Sequence, residues 1–132
     1  MMIKLRKMTM EDADLLLSWK NYPETREFAI VSHEIIEREN HLKWLEKNIQ
    51  YFQIIEETGV ECGAIRIQDN EISIWIDREL WGLGYAQDAI NLASQKGYTA
   101  KIVAGNIASM RCFIKCGYLP ISFQDGYFIF QK

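Results

Sequence analysis

EISIWIDRELWGLGYAQDAIN, Glu71–Asn91, decides the reading of this chain. Ile72, Ile74 and Ile76 alternate with Ser73 and Trp75, the period-2 pattern of a β-strand. A turn with two glycines, Gly82 and Gly84, follows, and a helical pattern opens at Tyr85-Ala86. Strand, glycine turn and helix together make an anion cradle. Glycine lets the backbone come close to a ligand, and the first amides of a helix point outward with no internal partner. The same local sequence could also be no more than a tight strand-to-helix turn. A dinucleotide fingerprint is not complete, because position 87 is Gln where a third glycine would stand, and no Gly-Lys-Ser/Thr closes a P-loop.

Working outward, Tyr51–Ile55, Cys62–Ile67 and the opening strand are joined by the turns Glu57-Thr58-Gly59 and Asp69-Asn70. Short turns between alternating runs predict an antiparallel meander. Downstream, the pattern predicts a helix over Tyr85–Gly97 ended by Gly97 and a strand over Lys101–Ala104. A second helix over Asn106–Cys116 is closed by Gly117, and a last hairpin is built on Tyr118–Phe123 and Tyr127–Gln131. Upstream lie a first strand at Ile3–Met8 and a helix over Glu11–Lys20 with Thr9 before it, stopped by Asn21-Tyr22-Pro23. Phe28–Val31 reads as a short extended piece, and Glu37–Gln50 as a helix. A meander feeding a strand–helix–strand crossover requires a mixed sheet. The expectation is one α/β (α+β) domain over residues 1–132, with a mostly antiparallel mixed sheet flanked by helices on both faces.

Composition narrows the function. The 132 residues carry a net charge of −3 with both signs interspersed, which argues against a broad nucleic-acid surface. No apolar run approaches the roughly 20 residues of a membrane span, and no signal-peptide pattern opens the chain. Three cysteines, Cys62, Cys112 and Cys116, are an odd set that suits a reducing, cytoplasmic setting. Cys112 and Cys116 have no further His or Cys nearby, so no metal site is expected.

Trp81-Gly-Leu-Gly-Tyr-Ala86, then Asn106-Ile-Ala-Ser109, Phe113 and Cys116-Gly117-Tyr118, occur in that order along the chain. The first string resembles the acyl-CoA pyrophosphate loop of the GCN5-related N-acetyltransferase (GNAT) superfamily, and most closely its ribosomal-protein-acetyltransferase branch. The second is similar to the superfamily's N-x-x-S-x-x-x-F/Y-x-x-x-G-F/Y signature. Leu17–Asn21, Arg26 and His41–Leu45 further resemble acetyltransferases of bacterial surface-sugar synthesis, including those of the pseudaminic acid pathway.

The resemblance implies acetyl-CoA as co-substrate. Its diphosphate would lie on the amides of Gly82, Leu83, Gly84, Tyr85 and Ala86, and its pantetheine arm along Ser73–Ile76. The amide around Trp75–Ile76 would polarise the thioester, with Asn106, Ser109 and Phe113 as further cofactor contacts. The acceptor pocket would be shaped by Trp19, Asn21, Arg26 and Trp44. His41 is the expected general base, because its ordinary pKa near 6.5 suits proton removal at neutral pH. His33, Glu71 and Asp77 are the rivals. The sequence departs from the superfamily pattern twice. Glu79 stands where a phosphate donor is common, which throws more of the anchoring onto the backbone and Arg78. Phe113 stands where a proton-donating Tyr is common, leaving Tyr85, Tyr118 and Ser109 as substitutes. The reaction implied is acetyl transfer to an amino group of a small molecule, with a nucleotide-linked amino sugar preferred. Alternatives are a protein N-terminus or small amine as acceptor, or a non-catalytic acyl-CoA-binding module. A homodimer is a further expectation, since 132 residues are few for this superfamily.

Overall fold

The computed structural model describes all of residues 1–132. Seven strands form one sheet in the order β1-β2-β3-β4-β5-β7-β6. They are β1 Ile3–Lys7, β2 Phe52–Glu57, β3 Val60–Gln68, β4 Glu71–Ile76, β5 Thr99–Val103, β6 Leu119–Gln124 and β7 Tyr127–Gln131. The helices are α1 Ala13–Lys20, α2 Pro23–Glu27, α3 Arg38–Asn48, α4 Tyr85–Ala93 and α5 Ile107–Lys115. Every neighbouring pair of strands is antiparallel except β4 and β5. The expected mixed, mostly antiparallel sheet is therefore the one observed.

Two cores lie on opposite faces of the sheet, and the alternation along β4 divides its residues between them. Ile72, Ile74 and Ile76 join the cluster that contains Ala89 and Ile90 of α4 and Phe113 and Cys116 of α5. Trp75 joins the cluster that contains Leu16 and Trp19 of α1 and Leu45 of α3. Ala13, Leu16 and Trp19 recur every three residues, so they form one buried stripe on α1. The three strands of the meander are drawn tightly together. A Cβ on Gly63 would meet the Trp75 carbonyl oxygen at 2.2 Å, so only glycine permits this approach.

The start of α1 is fixed by an ion cluster on the first strand. Asp12 accepts two hydrogen bonds from the Arg6 guanidinium at 2.8 and 2.9 Å and one from the Thr9 amide at 3.0 Å. Arg6 also reaches Glu56 at 3.1 Å, tying β1 to β2. The Arg6 partner holds the Asp12 carboxyl below its ordinary range.

Three local expectations need correction. Pro23 does not simply stop a helix; it sits at the first position of α2, where its missing N–H costs nothing. Phe28–Val31 is not a strand but part of an irregular segment after α2. Gly97 does not end α4, which stops at Ala93 when Ser94 turns extended (φ −78°, ψ 145°). The Gly97 amide instead donates to the Lys132 carbonyl at 3.0 Å, pinning the chain end beside β5.

Candidate active site

The site begins where the sheet comes apart. β4 and β5 run parallel but share only one residue pair, Glu71 with Thr99. The Thr99 amide donates to the Asn70 carbonyl at 2.8 Å, and past this point β5 stays with β7 through all five of its residues. The rest of β4 thus has an unpaired edge facing β5. The Asp77 amide donates to the Cys62 carbonyl on β3 at 2.8 Å. Strand alternation then turns the amides of Ile74 and Ile76 toward the gap and that of Trp75 toward β3. Of the two amides expected to polarise a carbonyl there, Ile76 has the right direction and Trp75 does not. The Ile76 carbonyl is already engaged by the Trp81 indole N–H at 2.8 Å.

At the open end of the gap lies the glycine turn. Gly82 (φ +78°) and Gly84 (φ +90°) are both left-handed, a conformation that side chains disfavour. Gly84 caps α4, and the first helical bond is from Asp88 N–H to the Gly84 carbonyl at 3.1 Å. The amides of Gly82, Gly84, Tyr85, Ala86 and Gln87 have no acceptor in the protein. A Cβ on Gly82 would meet nothing within 4 Å, and one on Gly84 only the Met1 side chain at 3.8 Å, so the surface over these amides is open. Five unsatisfied donors at the positive end of a helix fit a diphosphate. Arg78 adds little, because it is paired with Glu24 at 3.1 Å and its guanidinium lies 4.3 Å from the Tyr22 ring centre. The grip expected from Arg78 therefore falls to the backbone. One open concavity, about 380 Å³, is lined by Met1, Ile3, Asp88, Asn91 and Leu92 and has none of these amides.

Segment 21–28 bridges the two sides of the gap. Tyr22 packs edge-on against Trp81 at 5.9 Å on the β4 side, and the Phe28 ring lies near Gly105 after β5. Asn21 clamps the following segment by bonding both the amide (2.8 Å) and the carbonyl (3.0 Å) of Ile36. Arg26 donates to the carbonyls of Asn21 and His33 at 3.2 and 3.3 Å. These two residues, expected to face the acceptor, brace the loop instead. Trp19 is buried, its indole N–H reaching Asp77 Oδ2 at 3.4 Å. Trp44 is 36% exposed and does present a face.

His41 is not the accessible base the sequence suggests. Only 2% of it is exposed. Its Nε2–H donates to the Ala13 carbonyl at 2.9 Å, and Trp44 stacks along its ring at 6.4 Å. Because a carbonyl can only accept, the free lone pair is on Nδ1, which is buried without a partner. Burial lowers the pKa of the ring below its ordinary value. His33 points its Nε2 at the Ala29 carbonyl, 3.0 Å away in the loop. Glu71 is paired with Lys101 at 3.3 Å at the closed end of the gap, about 17 Å along the strand from Ile76. Asp77 directly follows Ile76, accepts from the Trp19 indole and from the Glu79 amide (3.0 Å), and is partly exposed.

On the other side of the gap, Asn106 caps α5 through its Oδ1 and the Ser109 amide at 3.4 Å. Phe113 is buried edge-to-face on Tyr118 at 5.0 Å, which makes it a core residue here. Of the proposed proton-donor substitutes, the two tyrosines are engaged as well. Tyr118 is buried with its hydroxyl on Ser94 at 2.6 Å. Tyr85 donates to the Glu57 carboxylate, which pushes its pKa up to about 12.

The sequence reading missed Lys20 and Arg66. Lys20 ends α1 and looked like an ordinary last-turn cation. Arg66 occupies an inward position of β3, two residues after Ala64, and that pattern was a legible signal.

A mixed sheet parted between its two parallel strands, with a helix N-terminus open at the mouth, defines a protein built to hold an extended, phosphate-bearing ligand along a strand edge. The chain belongs to the acetyltransferase (GNAT) domain family, whose model matches residues 3–119. It is 26% identical over 134 residues to an uncharacterised protein of Methanocaldococcus jannaschii, covering 88% of this chain and 28% of that one. The chain thus spans little more than a quarter of the length of this curated relative. Among solved structures, a domain from the same archaeon has a TM-score of 0.87 at 22% identity, covering 99% of this chain and 97% of that one. Spermidine N-acetyltransferase from Vibrio cholerae, in complex with CoA and spermine, has a TM-score of 0.82 at 14% identity, covering 97% and 93%. At these identities the structural likenesses establish the fold.

Proposed function

We propose that this single acetyltransferase domain uses acetyl-CoA to acetylate the amino group of a small molecule, with a nucleotide-linked amino sugar as the preferred class. The observation that carries this reading is the continuity of the five free amides at Gly82–Gln87 with the unpaired edge Ile74–Ile76. When bound, acetyl-CoA supplies a thioester-activated acetyl group. The loop amides hold the diphosphate, and the β4 edge orients the arm by strand-like bonds. The Ile76 N–H is directed into the gap, where it stabilises charge on a carbonyl oxygen. Asn106 and Ser109 border the gap from the β5 side. Asp77, the first residue past Ile76, takes the proton of the acceptor ammonium directly or through one water. His41 is assigned instead to holding α3 against α1.

The buried Phe113 and the committed tyrosines favour a second reading, a module that binds acyl-CoA without turnover. Release of free CoA from acetyl-CoA, assayed against UDP-amino sugars, peptides with free N-termini and polyamines, decides among these. Release with the sugars alone supports the preferred class. Tight CoA binding with no release for any amine supports the module, and no CoA binding removes both. Asp77→Asn should lower kcat by about a hundredfold or more with CoA affinity unchanged. An unchanged kcat removes Asp77 as the base.

Two wider properties complete the reading. The β6 edge exposes Leu119, Ile121 and Phe123, apolar side chains on an unpaired strand suited to a homodimer contact. The three free thiols suit a cytoplasmic setting. No helix is long and apolar enough to cross a membrane.

A further inference from the structure

Two cations, Lys20 and Arg66, face the side of the sheet beneath α1 and α3, and neither is ion-paired. Arg66 lies directly across from Phe52 on β2 and Ser73 on β4. Trp75, two residues further along β4, shares this face and stacks on Phe52 at 5.8 Å. Lys20 places its ammonium 4.3 Å from the ring centre of Trp44 and 5.6 Å from that of Trp75. Trp44 in turn meets Phe52 edge-on at 5.7 Å. Lys20 and Arg66 therefore flank one floor of three aromatic rings.

Neither cation has a carboxylate partner. The ion pairs of the chain engage Arg6, Arg38, Lys43, Arg78 and Lys101. Arg66 bonds only a neutral partner, the side chain of Gln68, and its Nε–H is buried with no acceptor. Burial, and then the charge of Arg66, draw the pKa of Lys20 down from 10.5 to about 8. A half-buried pair of like charges and an orphaned donor all work against the fold. One oxyanion between them would relieve both, and a guanidinium with an ammonium is a strong oxyanion clamp.

We infer that Lys20 and Arg66 form an oxyanion subsite that binds a phosphate or carboxylate carried by the acceptor, over the floor of Trp44 and Trp75. That the anion belongs to the acceptor rests on the acetyltransferase function proposed for the gap: Trp75 immediately precedes Ile76, whose amide faces it. The subsite selects amines that also carry negative charge, such as a sugar linked to a diphosphate or an amino acid. It disfavours polyamines, which two cations repel.

The test titrates inorganic pyrophosphate and, separately, glutarate into the full chain saturated with coenzyme A, so that the loop amides are already filled. Binding of pyrophosphate points to a phosphate-bearing acceptor, and binding of glutarate alone to a carboxylate. Lys20→Met and Arg66→Met should each weaken the bound anion at least about tenfold, with coenzyme A affinity unchanged. Lys20→Arg should recover part of the loss. Because the wild-type cations repel, each Met variant should melt at or above the wild type, and the anion should raise the melting point of the wild type alone. The inference is overturned if neither anion binds, or if wild type and variants bind alike. If coenzyme A itself does not bind, the acetyltransferase reading fails, and the same comparison on the free chain still decides the subsite.

Discussion

Gly84→Asp should separate ligand binding from folding at the phosphate loop. Gly84 has φ +90°, and a Cβ there meets only Met1 Cε at 3.8 Å, so a side chain fits in space but not in backbone preference. The left-handed strain costs roughly 1–2 kcal/mol. A carboxylate beside the open amides of Ala86 and Gln87 returns about 0.5–1 kcal/mol through the helix dipole and partial capping. Net destabilisation is then about 1 kcal/mol, a fall in Tm of roughly 3–5 °C for a chain of this size. The effect on ligand is far larger. The new carboxylate occupies the amides that would hold the diphosphate and repels it. Losing two charge-assisted hydrogen bonds at about 1.5–3 kcal/mol each weakens coenzyme A at least a hundredfold. Gly84→Ala is the control, with the same backbone strain and no charge, and it should retain affinity within about tenfold. Calorimetric titration gives Kd for the three proteins. At a hundredfold excess over Kd, ligand adds about 2.7 kcal/mol to the wild type and should leave the Asp variant unmoved in a thermal-shift assay. Wild-type affinity in Gly84→Asp would refute the loop assignment. An equal loss in Gly84→Ala would show that backbone shape, and not occupied amides, sets the affinity.

Two further outcomes follow from groups away from the loop. Asp12→Ala should cost roughly 2–3 kcal/mol at pH 7, less than for an isolated buried pair because Arg6 keeps Glu56. Since Arg6 holds the folded Asp12 pKa below its ordinary 3.8, that contribution is present above 3.8 and is lost as pH falls below it. Urea denaturation at pH 7 and at pH 3 should show the gap between wild type and variant shrinking; a constant gap would contradict the ion-pair account. For His41, burial lowers the folded pKa below 6.5, so below pH 6.5 the unfolded chain binds the extra proton first and wild-type stability falls with acidification. His41→Gln, which keeps a donor for Ala13 but does not titrate, should flatten the stability profile in that window while leaving the pH–rate profile unchanged. A rate profile that loses its acidic limb would return the base role to His41.

The fold was legible because its signals are local. Period-2 alternation in 71–76, short turns in the meander and glycines at 82, 84 and 117 each act within a few residues, and the antiparallel meander follows from their succession. The same locality explains the errors. Whether Pro23 ends one helix or begins another depends on Tyr22 and Glu24 finding Trp81 and Arg78, more than fifty residues away. The loop glycines were found in sequence, but the parting of β4 from β5 is a property of pairing, since β5 follows β7, and no local pattern encodes that. Side-chain direction was likewise out of reach. His41, Asn21 and Arg26 have the composition of a catalytic pocket, yet each is engaged by a backbone group that the tertiary fold brings to it. Lys20 and Arg66 lie 46 positions apart and look like ordinary cations until α1 is laid across the sheet. The sequence by itself determined the strand, the turn and the helix that cradle an anion, because dihedral preference and hydrophobic period are carried by neighbours along the chain. Only the tertiary structure decided which polar groups remain free to bind, because a hydrogen-bonding group is free or spent according to what packs against it.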